Sequence, residues 1–253
     1  MPKVIAVANQ KGGVGKTTTA INLSACLAEI GYKTLLLDID PQSNTTSGLG
    51  FDPRKLTKSI YHVLIDNTPI TEIVMDTAVK RLSLVPSNSD LVGVEVEMVA
   101  LIARETKLRS ALQSVRSQYD YIIIDCPPSL GLITLNALTA CDSVLIPIQC
   151  EYYALEGLGQ LLETITLVKD NLNPNLEIEG ILLTMQDKRV RLSEQVISEV
   201  RNYFKGRVYD TNIPRNVRLS EAPSFGKPII LYDPRSAGAK AYMKLAKEVA
   251  GRQ

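Results

Sequence analysis

The sequence predicts an α/β fold in which a doubly wound, mostly parallel sheet carries helices on both faces. Its apolar runs are short and rich in Val, Ile and Leu, as in strands buried on both sides. Longer stretches with helical periodicity separate these runs. No Gly/Ser-rich linker and no internal repeat divides the 253 residues, so one domain over 1–253 is expected.

The elements are expected to alternate along the chain. The strands are predicted at 3–8, 33–38, 82–86, 121–125, 143–148, 179–184 and 208–211. The helices are predicted near 16–30, 91–103, 106–118, 131–140, 154–170, 192–204 and 236–250. Segment 45–77 is expected to be a loop with one or two short helices.

The composition excludes several classes of protein. With 28 basic and 27 acidic side chains the net charge is +1, so the chain is not a uniformly basic nucleic-acid protein. No apolar run approaches the roughly 18 residues of a membrane span, and a cytoplasmic protein is expected. The four cysteines form no C-x-x-C pair and the chain has one His, which argues against a disulfide framework or a zinc site.

The strongest motif lies between the first strand and the first helix, where the sequence reads KGGVGKTT. Glycines let consecutive backbone N–H groups converge on an anion, and the following helix N-terminus adds partial positive charge. This order of elements predicts a phosphate-binding loop. The expected nucleotide contacts are Lys11, Gly12, Gly13, Val14, Gly15, Lys16, Thr17 and Thr18.

An additional lysine distinguishes this loop from the standard G-x-x-x-x-G-K-[ST] pattern. The first glycine of that pattern is replaced by Gln10, and Lys11 stands inside the loop instead. Lys16 is expected to reach the β- and γ-phosphates of a nucleotide, while the Thr17 hydroxyl coordinates Mg²⁺.

Three aspartates lie at the carboxyl ends of predicted strands, the edge at which open α/β sheets bind ligands. The run LLLDIDPQ contains Asp38 and Asp40, and the run YIIIDCPP contains Asp125. Asp125 is expected near the Mg²⁺ ion and its water shell. Whether Asp38 acts in hydrolysis or supports its neighbours is left open.

KGGVGKTT with its early lysine, LLLDIDPQ and IIIDCPPS together resemble the deviant Walker A ATPases, and the whole chain looks like their ParA/Soj branch. The resemblance implies a P-loop NTPase fold, ATP and Mg²⁺ as cofactors, and an ATP-dependent homodimer. It also implies that Lys11 crosses to the partner's phosphates and that Asp40 places the attacking water. Pro214 and Asn216 would contact the adenine base.

The same resemblance implies a function for a local excess of positive charge within 187–218. Eight basic and four acidic residues lie within 187–218, a pattern that is also common on solvated surfaces. By resemblance, a patch there would bind double-stranded DNA through its phosphates, without sequence specificity, and the protein would be nucleoid-associated. A ParB-type centromere-binding protein would trigger hydrolysis. The expected DNA contacts are Lys188, Arg189, Arg191 and Arg218.

Three other functions on the same scaffold are considered. A MinD-like positioning ATPase cycling on a membrane would need an amphipathic C-terminal helix, but this chain ends in an Ala-rich helix with Glu248. An iron–sulfur reductase or carrier would need paired cysteines, and Cys126 has no convincing partner. A P-loop ligase would show metabolite-dependent ATPase activity.

Overall fold

The computed structural model describes residues 2–151, 158–187 and 189–251, apart from the side chains of Arg191 and Leu192. The strands in this part of the chain form one sheet in the order β3-β4-β2-β5-β1-β6-β7. Strand β3 is antiparallel to β4, whereas the other neighbouring pairs are parallel. The strands are β1 (Lys3–Val7), β2 (Thr34–Asp38), β3 (Met75–Asp76), β4 (Leu82–Val85), β5 (Tyr121–Asp125), β6 (Ser143–Gln149) and β7 (Glu177–Thr184).

Helices connect these strands and cover both faces of the sheet. The α-helices of the described residues are α1 (Lys16–Glu29), α2 (Asn44–Gly48), α3 (Ile60–Leu64), α4 (Val94–Glu97), α5 (Lys107–Leu112), α6 (Leu132–Ala140), α7 (Leu158–Asn171), α8 (Arg191–Tyr203), α9 (Val217–Glu221), α10 (Ile229–Tyr232) and α11 (Ala237–Gly251).

The core consists of two layers, one on each face of the sheet. Successive residues of a strand point to opposite faces. In β1, Val4 and Ala6 therefore pack into one layer, and Ile5 and Val7 pack into the other. Because both faces are buried, the strands read as continuous apolar runs rather than as an alternation.

The topology places the functional loops at one edge. From β1 the chain passes to β2 and β4 on one side, returns to β5 beside β1, and then continues to β6 and β7 on the other side. The loops that follow β1, β2 and β5 all leave from the carboxyl ends of parallel strands. Ligands bind at such an edge where the strand order reverses.

The strand predicted at 208–211 does not form. Val208 makes a single parallel bridge with Ile181 of β7. The next backbone N–H groups, of Asp210 and Thr211, donate to the Glu248 carboxylate at 2.8 and 3.1 Å. Because Glu248 of α11 takes the Thr211 N–H, pairing with β7 is interrupted there, and it resumes where the Ile213 N–H donates to the Leu183 carbonyl at 2.8 Å.

The helices predicted at 91–103 and 106–118 are also wrong in extent. Short 3-10 turns at Ser89–Gly93, Met98–Ala100 and Arg104–Thr106 flank α4 and precede α5. Leu101 is extended and ends the first helical stretch, and Ala103, with a left-handed φ of 54°, precedes the next turn. The two-residue strand β3 lies in the segment 45–77, where no strand is predicted.

A close approach of two backbone segments constrains the loop after α2. Gly226 has φ of 62°, and a Cβ added there would lie 2.5 Å from the Cα of Gly50. Gly206 has a similar φ of 75° with nothing within 4 Å of its Cβ position.

We expect Gly226→Ala to lower the free energy of unfolding by about 2–4 kcal/mol, because conformational strain and backbone overlap add. The matched variant Gly206→Ala carries only the strain and should cost about 1 kcal/mol. Urea unfolding of both variants measures the difference. Equal losses would show that the contact with Gly50 is not tight.

Candidate nucleotide-binding site

Glycines shape the turn between β1 and α1. Gly13 and Gly15 have φ of 75° and 90°, a left-handed conformation that favours glycine. Gly12 and Gly13 are exposed, and nothing lies within 4 Å of the position a Cβ would take at either residue. The turn therefore presents bare backbone to the solvent in front of the α1 N-terminus, the arrangement that binds phosphate.

Side-chain hydrogen bonds hold this turn from both sides. Asn9 accepts a hydrogen bond from the Lys11 backbone N–H through its Oδ1 at 2.9 Å. Thr184, at the end of β7, donates from Oγ1 to the Val14 carbonyl at 2.9 Å. The loop is thus preorganised by the strands around it.

Lys16 lies inside the loop and is buried, with 7% of its surface exposed. Its Nζ donates to the Lys11 carbonyl at 3.1 Å. Burial lowers the pKa of Lys16, although the negative charges of Asp125 and Asp40 act in the opposite direction. The ammonium group is therefore poorly solvated and faces carboxylates at the strand ends, where a polyanion would gain from it.

Asp125 ends β5 and is fully buried. Thr45 Oγ1 donates to its Oδ2 at 2.7 Å. Its Oδ1 has no partner with hydrogen-bond geometry among the described residues. Burial, together with the charge of Asp38, raises the pKa of Asp125 to about 8, against the lowering effects of the Thr45 and Thr17 hydroxyls.

Asp38 ends β2 and stands opposite Asp125 in the sheet register. Its Oδ2 accepts from the Thr46 N–H and Oγ1 at 2.8 and 2.7 Å, and its Oδ1 accepts from the Asp40 N–H at 3.1 Å. Burial raises the pKa of Asp38 to about 7. Both oxygens are engaged by backbone and Thr46, so this carboxyl holds the segment after β2 in place.

Asp40 lies two residues further on, at the same edge. It is 6% exposed, and its Oδ1 accepts from the Gln42 N–H at 2.9 Å. Its carbonyl accepts from Ser87 Oγ at 2.8 Å. The structure thus brings Asp40 into the vicinity of Lys16, whose pKa responds to its charge.

Sequence reasoning missed two threonines of this site. Thr45 and Thr46 are both fully buried, and they bind Asp125 and Asp38 respectively. Both lie on α2, a short helix of the kind expected within 45–77. A run of small hydroxyl residues directly after a strand-end carboxylate is the signal that could have identified them.

A cleft of about 320 Å³ extends from the phosphate loop to the segment before α9. Gly15 and Thr18 line one side, and Pro214 and Asn216 line the other. The Oδ1 atom of Asn216 is buried without a hydrogen-bond partner in the part of the chain that the structure describes. An unpaired amide oxygen is an acceptor for an exocyclic amino group such as that of adenine.

The predicted DNA contacts are only partly described. Lys188 lies outside the described residues, and Arg191 is described without its side chain. Arg189 has a side chain that is 87% exposed and pairs with Asp187 at 2.8 Å. Arg218 pairs with Glu221 at 2.9 Å.

These pairings were not part of the sequence prediction. Arg218 also lies 3.5 Å from Asp233, so each of the two arginines has acidic neighbours. Phosphates of a DNA backbone would have to compete with these carboxylates for the guanidinium groups. The geometry supports a weaker patch than the count of charges suggests.

The cysteines do not form a surface cluster. Cys26, Cys126, Cys141 and Cys150 are all buried and free. Burial raises the pKa of the Cys126 thiol well above its ordinary value, which disfavours the thiolate that a metal needs. An iron–sulfur carrier therefore finds no support among the described residues.

The residues fit a magnesium nucleotide. The Asp125 carboxyl has a buried, unpaired Oδ1 and is close enough to Thr17 for that hydroxyl to lower its pKa, and oxygen donors of this kind suit Mg²⁺ and its waters. Bound Mg²⁺ supplies charge neutralisation for the phosphates. With Lys16 beside the loop amides, the site defines a P-loop ATPase.

Comparisons with known proteins agree with this class. The family model described as an AAA domain matches residues 2–178. The sporulation initiation inhibitor protein Soj of Bacillus subtilis (strain 168) is 61% identical over 250 residues, covering 99% of both chains. The chromosome partitioning protein ParA of Myxococcus xanthus (strain DK1622) is 58% identical over 250 residues, covering 99% of this chain and 88% of the relative.

A similar solved structure contains a bound nucleotide analog and magnesium. Cobyrinic acid a,c-diamide synthase from Mycobacterium smegmatis with a bound ATP analog and magnesium has a TM-score of 0.87 and 39% sequence identity, covering 98% of this chain and 93% of that one. The chain belongs to the ParA/Soj family of chromosome-partitioning ATPases. It is an ATP hydrolase with ATP and Mg²⁺ as cofactors, and the predicted fold class is confirmed.

We expect Lys16→Ala to weaken ATP binding by about 100-fold or more, because the variant loses a charge-assisted hydrogen bond to the phosphates. Lys80→Ala is the matched control, since Lys80 is exposed and precedes β4 at the opposite edge of the sheet. Calorimetric titration with ATP and Mg²⁺ measures both. Equal affinity of the two folded variants would contradict the placement of the phosphates.

The buried Asp125 predicts a pH dependence of stability in the absence of nucleotide. An unfolded Asp ionises near pH 4, whereas the folded group keeps its proton to about pH 8. Its stabilising contribution is therefore complete below about pH 4 and is lost as the pH rises to about 8. Relative to wild type, Asp125→Asn should gain stability over pH 5–8, by at most about 1.4 kcal/mol per pH unit.

Urea unfolding of nucleotide- and magnesium-free protein between pH 5 and 8 measures this gain. Asp66→Asn, at an exposed position, is the control and should follow the wild type at every pH. A stability difference between wild type and Asp125→Asn that stays constant with pH would contradict the assignment of the buried proton.

Proposed function

We propose that the chain is an ATP-dependent dimer that binds double-stranded DNA without sequence specificity and segregates a chromosome or plasmid together with a ParB-type partner. Residues 1–253 would act as a single ATPase unit. The observation that carries the proposal is the position of Lys11. Its backbone is fixed by Asn9 and Lys16, while its ammonium group makes no ion pair among the described residues. It stands beside the exposed Gly12 and Gly13, where a second subunit could approach.

If the partner subunit supplies a lysine to the nucleotide, ATP hydrolysis would require the dimer. Phosphoryl transfer gathers negative charge on the phosphate oxygens, and an added cation stabilises that charge. Lys11 of one subunit would act on the nucleotide of the other. Asp40 would position the attacking water, since its Oδ2 is not used by the turn that Oδ1 holds. A ParB-type partner would stimulate this step.

DNA binding would follow from the exposed arginines near the nucleotide cleft. The Arg215 N–H donates to the Gln186 carbonyl at 3.0 Å, so the segment before Arg189 runs beside the segment that carries Asn216. Dimerisation would double the patch and make DNA affinity depend on ATP. Such a protein would be cytoplasmic and nucleoid-associated.

The C-terminal helix α11 argues against the alternative of a MinD-like ATPase that cycles on a membrane. Tyr242, Leu245 and Val249 of this helix are buried, so its large apolar side belongs to the core. Among the described residues, no helix has the length and apolarity required to cross a membrane.

Retention of nonspecific duplex DNA in the presence of ATP, ADP or no nucleotide tests the proposal. Retention with ATP alone is the expected result. Equal retention in all three states would contradict it, and ATP-dependent binding to anionic liposomes would favour the membrane alternative. An ATPase rate that responds to a small metabolite rather than to DNA would favour a P-loop ligase.

Arg189→Glu should lower the slope of log affinity against log salt by roughly two in the ATP dimer, one phosphate contact per subunit at about 0.9 each. Asp187→Asn should strengthen DNA binding, because it frees the same guanidinium from its carboxylate. Glu163→Lys, at an exposed position on α7, controls for added charge. An unchanged salt series for Arg189→Glu would remove this residue from the patch.

A further inference from the structure

A closed ring of hydrogen bonds holds the backbone of Asp40 on both sides. Its N–H donates to Asp38 Oδ1 at 3.1 Å, and its carbonyl accepts from Ser87 Oγ at 2.8 Å. The Ser87 N–H donates to Thr46 Oγ1 at 2.9 Å, and that hydroxyl donates to Asp38 Oδ2 at 2.7 Å. Asp38, Thr46 and Ser87 are fully buried. We call these four residues the Asp40 ring.

Ser87 makes a contact that the Asp40 carbonyl does not need in order to be paired. This carbonyl already accepts from the Ser43 N–H at 2.9 Å, within the turn that follows Asp40. Ser87 adds a second donor from a different part of the sheet. A carbonyl oxygen has two lone pairs, and one partner is enough to avoid a buried unpaired acceptor. The second hydrogen bond therefore fixes the orientation of the peptide group.

The segment that carries Ser87 is itself held on its other side. Ser87 follows β4, which pairs with β2 in parallel register. The Pro86 carbonyl accepts from the Ile60 N–H at 2.9 Å, and Asn88 Oδ1 accepts from Ser59 Oγ at 2.8 Å. Both donors lie at the start of α3. The Ser87 hydroxyl is therefore attached to a fixed support.

We propose that Ser87 and Thr46 are positioning residues for ATP hydrolysis and act through Asp40. The inference rests on the proposed function, in which the Asp40 carboxylate places the attacking water. Asp40 uses Oδ1 for the Gln42 N–H at 2.9 Å, so the direction of its Oδ2 follows the backbone that the ring holds. A fixed backbone matters here, because a misplacement of about 1 Å can lower a reaction rate about 100-fold.

The Asp40 ring is separate from the contacts that would bind the phosphates. Lys16 and the glycine turn between β1 and α1 make none of the hydrogen bonds of the ring. Loss of a ring hydroxyl should therefore lower turnover and leave the affinity for ATP unchanged. This difference separates a positioning role from a role in binding.

Ser87→Ala removes one hydroxyl of the ring, and Thr46→Val removes the other with little change of shape. Each variant should lower kcat about tenfold in ATPase assays with Mg²⁺, while the calorimetric affinity for ATP stays within about twofold of the wild type. Thr46→Ser keeps the hydroxyl and should restore most of the turnover that Thr46→Val loses.

Ser143→Ala is the matched control. Ser143 is 4% exposed, and its hydroxyl donates to Glu179 at 2.6 Å. It begins β6, at the end of the sheet opposite to the nucleotide site. This variant loses a buried serine hydroxyl and its hydrogen bond, as Ser87→Ala does, but should keep the wild-type kcat.

Combined variants distinguish a positioning role from a general loss of stability. T46V/S87A should lower kcat little more than either change alone, because one missing hydroxyl already opens the ring. Adding Ser87→Ala to Asp40→Ala should leave the residual turnover of Asp40→Ala unchanged, since the group that Ser87 positions is already absent. Losses that multiply in either combination would contradict an action through Asp40.

Wild-type kcat for Ser87→Ala and Thr46→Val, beside an inactive Asp40→Ala, would overturn this inference and leave the proposed function intact. Wild-type turnover of Asp40→Ala would refute the proposed role of Asp40 and this inference with it. A loss of ATP affinity as large as the loss of kcat would also overturn it, because the ring would then support binding. If Ser87→Ala does not fold by circular dichroism, the comparison of Thr46→Val with Thr46→Ser decides.

Discussion

Two buried carboxyl groups on neighbouring strands are the constraint on which the site depends. Asp38 and Asp125 are opposite each other in the register of β2 and β5, and both are fully buried. Two like charges at this position would be costly in a medium of low polarity, so the groups hold protons or need cations and hydrogen-bond donors. Lys16 and the hydroxyls of Thr45 and Thr46 meet that need from two directions.

The two buried carboxyl groups connect the nucleotide site to the segments that follow β2 and β5. The threonines that donate hydrogen bonds to Asp38 and Asp125 belong to α2. A change in charge at the strand ends therefore alters the hydrogen bonds that hold the segment after β2. Asp40 stands at the start of the same segment, and Glu95 meets the segment after Asp125 through Gly131. Binding of a magnesium phosphate at the strand ends can therefore change the contacts of the segments that follow β2 and β5.

The phosphate-binding loop and the strand-end carboxylates could be predicted from the sequence, because each depends on residues that are close together along the chain. The strand, glycine turn and helix around Lys16 follow directly from residue types, and β5 lies where its apolar run ends in Asp125. The strand predicted at 208–211 is interrupted by Glu248, which lies far along the chain and accepts hydrogen bonds from the backbone N–H groups of Asp210 and Thr211. The pairing of Arg218 with Asp233 and the role of Thr45 likewise require the folded chain. Charge counts over a window cannot show such pairings.

We propose that the buried, unpaired oxygen of Asp125 and the Thr17 hydroxyl hold the magnesium ion of the nucleotide. Calorimetric titration of the wild type with ATP, in Mg²⁺ or in EDTA, tests it most directly. The account predicts at least tenfold tighter ATP binding with Mg²⁺, which is about 1.4 kcal/mol, and no such gain for Asp125→Asn. Equal ATP affinity of the wild type in Mg²⁺ and in EDTA would contradict it.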